Sequence, residues 1–298
     1  MDKFKTFVLG ASGSLGYEIC SLLRAGSWPV KGLVRKTTGT EKRNQLRHIG
    51  VELAEGDLSD RETLERHLKG IRTVIVTISS MPFSYIPGVN DIKTVDEDGV
   101  INAIDASKAA GVEHFIYTSF SKNINIDFPL SKAKRKVEKY LQESGLKYTI
   151  LRPGYFNEAW LSPMTGFDAE GGKVNIVGTG EEPVSYISYK DVAKFAVESV
   201  TNPNSVNSIL ELGGPGKISR KEAVNIFENA MGRKIEVSYT PLEVLKEQFA
   251  NATDPMQISF TGLIICLAKG DVIEMSEILK KFPVKLTSVK EYSQSLVK

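Results

Sequence analysis

Cysteine is nearly absent. Cys20 and Cys266 are the only two in 298 residues, and they show neither disulfide nor metal-ligand spacing. Each is expected to be a small buried hydrophobe. Histidine is as scarce: His48, His67 and His114 stand far apart, so no metal site is expected, and each reads as a surface or loop residue. A net charge of +2, from 38 basic and 36 acidic side chains, gives no sign of a nucleic-acid surface, and none is expected. No apolar run approaches the ~20 residues that span a bilayer. The densest, Gly262 to Ala268, is far too short, so no membrane insertion is expected. There is no signal-like apolar core near the start, no internal repeat and no low-complexity tract. A cytoplasmic protein is expected.

What the chain does have comes at once. In FKTFVLGASGSLG, Phe4 to Gly16, the apolar run Phe7-Val8-Leu9 leads straight into Gly10, Gly13 and Gly16. Ile19, Leu22 and Leu23 follow at helical spacing. Strand, glycine turn and helix is the context that a dinucleotide fingerprint needs. Gly10 permits a turn with positive φ, Gly13 lets backbone amides approach a pyrophosphate, and Gly16 lets helix and strand pack closely. Ser12, Ser14 and Leu15 complete the set expected to cradle the phosphates. The competing reading is an ordinary βα turn that happens to be rich in glycine.

The first half alternates short β-like runs with amphipathic helical stretches. Strands are expected at Phe4–Leu9, Val30–Val34, Val51–Ala54, Thr73–Ile78, His114–Thr118 and Tyr148–Leu151. Helices are expected at Glu41–Ile49, Arg61–Leu68, Val95–Ala110 and Leu130–Glu143. Such alternation implies right-handed βαβ units and a doubly wound parallel sheet. After Leu151 the pattern loosens. Pro183–Ile187 and Ser208–Leu212 read as strands, Asp191 as the N-cap of a helix over Val192–Val200, and Ser219 with Glu222 as a capping box. The expected fold is therefore α/β, a Rossmann-type sheet with a smaller C-terminal α/β cap. Residues 1–152 would form the dinucleotide domain, with its sheet completed from 183–213. Residues 153–298 would mainly form the substrate-binding cap, interleaved with that core.

The end of the second strand selects between dinucleotides. NAD binders place an acid there for the ribose 2′-hydroxyl, whereas this chain has Arg35-Lys36. A guanidinium and an ammonium suit a 2′-phosphate, so NADP(H) is expected. A solvated basic loop is the alternative. Asp57, in Gly56-Asp57-Leu58, either accepts from an adenine amino group or caps a turn. Thr77, Ser79 and Ser80, at the end of the fourth strand, would lie beside the middle of the cofactor.

GASGSLG, VRK, GDL, FIYTSF, SYISYKDVAKFA and above all KYTILRPGYFNEAW resemble the NmrA-like branch of the atypical short-chain dehydrogenase/reductases. The resemblance runs over nearly the whole chain. It implies an NADP(H)-binding Rossmann domain with a variable substrate region, and contacts to the cofactor from Pro153, Tyr155 and Phe156. Members of the wider superfamily use Ser, Tyr and Lys, with the Lys four residues before a helical Glu. Glu138 sets that register here. Lys134 then matches the lysine, Leu130 stands at the tyrosine position and Phe120 at the serine position.

Lys134 shares a helical face with Leu130, Val137 and Leu141, while Lys132, Arg135, Lys136 and Lys139 fall elsewhere. A lysine on that face either snorkels or holds a polar ligand such as the nicotinamide ribose. Ser119, Ser121 and Tyr155 are candidate substitute proton donors. Phe83, Tyr85, Phe120, Tyr155, Phe156 and Trp160 either line a flat apolar substrate pocket or fill the core, with Phe120 and Tyr155 expected near the nicotinamide. Three functions follow: an NADPH-dependent reductase of a conjugated carbonyl or quinone, a non-catalytic NADP(H) redox sensor, and a nucleotide-sugar epimerase or dehydratase. The missing tyrosine weighs against the last.

Overall fold

The computed structural model describes residues 4–82 and 84–297. Phe83, one of the aromatic set above, lies outside the described residues. The chain divides into two compact units, one comprising 1–119, 132–151 and 192–210, the other 120–131, 152–191 and 211–298.

The first unit is built on β1 (Thr6–Leu9), α1 (Ser14–Ala25), β2 (Val30–Val34), α2 (Thr40–His48), β3 (Glu52–Glu55), α3 (Arg61–Leu68) and β4 (Thr73–Val76). After it come α4 (Val100–Ala109), β5 (His114–Thr118), α5 (Pro129–Glu143) and β6 (Lys147–Pro153). Every residue of β1 and β4 is buried, as strands covered by helices on both faces must be. The pairs β1·β2, β2·β3, β1·β4, β4·β5 and β5·β6 are all parallel. A later strand beside β6 completes the order of the seven-stranded sheet, so that β1 and β4, distant in sequence, lie side by side. The chain reverses its direction of winding there, and the crevice outside their carboxyl ends is the place where such folds bind ligands. The layer on one face is a continuous core, with Phe7, Leu9, Val76, Ile104, Tyr117 and Leu141 buried together.

The rest of the chain supplies α6 (Asn157–Trp160), β7 (Phe167–Asp168), β8 (Lys173–Val177), β9 (Pro183–Val184) and α7 (Tyr189–Glu198). Then come β10 (Ser208–Leu212), the seventh strand of the large sheet, β11 (Ile218–Ser219), α8 (Arg220–Met231), β12 (Glu236–Thr240) and α9 (Leu242–Asn251). The last three helices are α10 (Pro255–Ala268), α11 (Ser276–Lys281) and α12 (Val289–Leu296). In the second unit β7, β8 and β12 form a small sheet, and β9 pairs with β11. No helix among the described residues is long and apolar enough to cross a membrane.

Several local expectations change. Residues 95–110 are not one α-helix: Ile92–Gly99 is wound as a π-helix and α4 begins at Val100. Asp191 lies inside α7 rather than capping it. The Ser188 hydroxyl accepts from the Lys190 amide at that end, and the Asp191 carboxylate accepts from the Thr287 amide. The strand expected over 183–187 stops at Val184, because Ser185 turns its amide to the Asp271 carbonyl. The Ser219–Glu222 capping box does form. His114 is not a surface residue. It is buried on β5 with Nε2 2.8 Å from the Thr149 hydroxyl, and burial pushes its pKa down to about 4.

Candidate functional site

The glycine turn closes on itself where β1 ends. Gly10 has φ +97°, and the Gly13 amide donates to the Gly10 carbonyl at 3.0 Å. A Cβ on Gly16 would stand 2.1 Å from that same carbonyl oxygen, so only glycine fits. Gly13 is the N-cap of α1, without any side chain bonded across the helix end and without an acid in the first turn. The amides there and the partial positive charge of a 12-residue helix are thus left for an anion. Gly13 and Ser14 are exposed and Ser12 half-buried, whereas Leu15 sinks its side chain into the core. On the β4 side, Thr77 is tied to β1, its amide donating to the Leu9 carbonyl at 3.0 Å. Ser79 is exposed, its hydroxyl accepting from the Met81 amide.

Arg35 and Lys36 are exposed at the end of β2. The backbone there is fixed: the Arg35 amide donates to the Thr38 hydroxyl at 3.0 Å, and Arg43 donates to the Arg35 carbonyl at 2.7 Å while pairing with Glu55 at 2.8 Å. The Arg35 guanidinium donates to the Asn90 side-chain oxygen at 2.6 Å. Asp57 accepts from the amide and hydroxyl of Ser59 at 3.0 and 2.8 Å, which is turn capping. Leu58 is buried against the π-helix, where a Cβ on Gly99 would come within 2.9 Å of it.

Lys134 is the unusual group. Its helix face is inward as the spacing of Leu130, Val137 and Leu141 requires, and the lysine is only 4% exposed. The Nζ lies 3.5 Å from the Asp96 carboxylate and 3.5 Å from the Ile78 carbonyl, with the Tyr117 ring centroid at 5.2 Å. Asp96 is 0% exposed, and its other oxygen accepts from the amide and hydroxyl of Ser80 at 3.0 and 2.6 Å. A buried ammonium is costly unless a buried carboxylate faces it, and here one does. Asp96 was not among the expected site residues. Tyr117, though close to Lys134, is enclosed in the core, and burial with the nearby Asp96 and Glu138 charges pushes its pKa well above 10. Ser119 is 6% exposed, and its hydroxyl has no hydrogen-bond partner among the described residues.

In the second unit, the Tyr155 hydroxyl donates to the Leu263 carbonyl at 3.0 Å, and its ring meets Trp160 edge-on at 4.8 Å. Burial raises its pKa well above 10, so its proton is committed to the main chain. Phe156 is half-buried and its backbone bridges to Ile187. The buried Pro153 accepts at its carbonyl from the Ser121 amide at 2.8 Å. Phe120 packs on Phe128, centroids 6.3 Å apart. The glutamate of the LRPGYF-x-E segment is a structural clamp: Glu158 accepts from the Ser188 hydroxyl at 2.5 Å and the Tyr189 amide at 3.2 Å, holding the start of α7.

Asp271 accepts from the Ser121 hydroxyl at 2.9 Å and the Asn123 amide at 2.6 Å through one oxygen. The other is buried without a partner among the described residues. Burial raises its pKa. A carboxyl whose folded pKa is raised adds stability that is full below the ordinary carboxylate range and is lost as pH rises through the raised value. Asp271→Asn, which keeps the accepting oxygen and removes the charge, should therefore raise stability at about pH 8 above that of wild type. It should change little at about pH 3. Thermal melts at the two pH values check this, and a variant less stable at high pH would refute it.

The strand order, with β1 beside β4, and the glycine turn that follows β1 define a protein of the Rossmann-type doubly wound class. The chain belongs to the NmrA-like family, whose model matches residues 2–293. It is 33% identical to the photosystem II assembly factor Ycf39 of Trieres chinensis, over 80% of this chain and 73% of that one. It is 28% identical to the NAD(P)H azoreductase of Xenophilus azovorans, over 85% of this chain and 82% of that one. The NADPH-dependent quinone oxidoreductase QOR2 of Escherichia coli shares the fold, with a TM-score of 0.77, 20% identity, and coverage of 98% of this chain and 100% of that one.

Proposed function

We propose that this chain is an NADPH-dependent reductase that delivers hydride to a conjugated carbonyl or a quinone-type small molecule. The observation that carries the reading is Lys134: a buried ammonium held by Asp96 and the Ile78 carbonyl, just past the end of β4. The residues suit the cofactor. The glycine turn would be filled by any Cβ at Gly16, and α1 has an uncapped N-terminus for the pyrophosphate. Arg35 and Lys36 would hold the 2′-phosphate. The bound nicotinamide supplies the hydride, and the protein supplies position. Lys134 would hold the ribose hydroxyls, and the unpartnered Ser119 hydroxyl would orient the substrate carbonyl. With Leu130 at the tyrosine position and the Tyr155 hydroxyl committed, water or a nearby hydroxyl such as that of Ser119 would supply the proton. A quinone accepts hydride with a weak proton donor more readily than a simple ketone does. The azo- and quinone-reducing relatives support the same class of acceptor. NADPH consumption with a panel of quinones and enones tests it, and no oxidation with any of them would overturn it.

A second reading, a non-catalytic NADP(H)-binding sensor, is supported by the likeness to an assembly factor. It requires different affinities for NADP⁺ and NADPH and no turnover, since a ligand binding both states equally shifts nothing.

A further inference from the structure

We propose that Asn90 is a specificity-determining residue: it presets the Arg35 guanidinium for a 2′-phosphate while leaving its charge uncancelled. The proposal rests on the reading of Arg35 as the phosphate clamp. Asn90 lies 55 residues from Arg35 in sequence and is 8% exposed. Its two side-chain ends are both engaged, and each can be assigned from chemistry alone. A guanidinium only donates, so the atom 2.6 Å from Arg35 Nη1 is the amide oxygen. The amide nitrogen then donates to the Ser84 carbonyl and to its hydroxyl. The backbone of Asn90 is paired with Ile86 in both directions, at 2.8 and 2.9 Å. Next to it, Asp91 caps the π-helix through the Thr94 amide at 2.8 Å and accepts from Gly88 at 2.8 Å. The oxygen that meets Arg35 is therefore fixed in place from its backbone and from its own amide nitrogen.

Arg35 is anchored from the other side by Thr38 and Arg43 on its backbone. Among the described residues its remaining guanidinium donors take no hydrogen-bond partner, and the residue is exposed. One edge of the fork is held and the rest is presented to solvent. That saves part of the side-chain entropy lost when a long cation is ordered on a ligand. The choice of amide over carboxylate matters as much as the contact. An isosteric aspartate at this position would form a short ion pair with Arg35, neutralise it, and repel a phosphate dianion.

Asn90→Asp and Asn90→Ser are measured against wild type and Arg35→Ala by fluorescence titration with NADPH and with NADH, after thermal melts establish folding. The expected result is a loss of NADPH affinity of about tenfold or more in Asn90→Asp, and about threefold in Asn90→Ser, with NADH affinity held within about twofold. Damage to the fold would instead lower both affinities together and overturn the assignment. So would folded variants that keep the full preference for NADPH while Arg35→Ala loses it. If wild type binds the two nucleotides equally, the phosphate-clamp reading fails first and takes the role of Asn90 with it.

Discussion

Gly16→Ala should abolish NADPH binding and destabilise the protein. The new Cβ would lie 2.1 Å from the Gly10 carbonyl oxygen, 2.7 Å from its carbon and 3.0 Å from the Ala11 Cα, all of them backbone. None can rotate away, so either α1 shifts off β1 or the turn opens. We expect a loss of about 3 kcal/mol in unfolding free energy, at the upper end for overpacking. NADPH affinity should fall at least ~100-fold, because the amides proposed to hold the pyrophosphate would move with the helix. Gly13→Ala is the control. Its Cβ would meet only the Gly10 oxygen at 3.4 Å, an ordinary contact, and its φ of −84° is open to any residue. It should melt with wild type yet bind NADPH about tenfold more weakly, since the methyl stands where a phosphate approaches. Equal effects of the two substitutions on stability would refute the geometry argued for this turn.

Lys134→Met should remove turnover and also destabilise the fold, and the two effects can be separated. Methionine keeps the apolar stem on the inward face of α5. It leaves Asp96 buried with one oxygen facing nothing, and breaking a buried pair in this way costs about 3–5 kcal/mol. The double variant Lys134→Met/Asp96→Asn should recover most of that stability, because the orphaned charge is gone and an amide oxygen can still accept from Ser80. It should not recover activity. We expect kcat/KM with a quinone to drop about 100-fold in both, through lost positioning of the nicotinamide ribose. Wild-type turnover in either variant would show that Lys134 is only a structural ion-pair partner.

Much of this was legible in sequence, and what was not has identifiable causes. The glycine turn, the succession of β1 to β6 along the chain and the inward face of α5 are local patterns, and short apolar runs or a 3.6-residue period reveal them. Asp96 escaped because Ile92–Gly99 is wound as a π-helix, which breaks the 3.6-residue period that would place it on the inward face. It reads as one of several acids in KTVDEDG, with nothing to single it out. Asn90 escaped for a different reason: its partner Arg35 is 55 residues away, and no single-sequence pattern links two such positions. The phenolic proton of Tyr155 looked free in sequence, but its commitment to the Leu263 carbonyl depends on a helix 108 residues downstream. Asp191 was misplaced by the smallest margin, since α7 starts at Tyr189, two residues earlier.

The most direct test of the central claim is a single-turnover experiment. Purified protein is saturated with NADPH, mixed with a simple benzoquinone, and followed by the loss of nicotinamide fluorescence, alongside free NADPH at the same concentration. The reductase account predicts that bound NADPH is oxidised at least ~100-fold faster than free NADPH, and that the gain disappears in the Lys134→Met/Asp96→Asn protein. Tight binding with oxidation no faster than in free solution would contradict it and leave the sensor as the reading that the site supports.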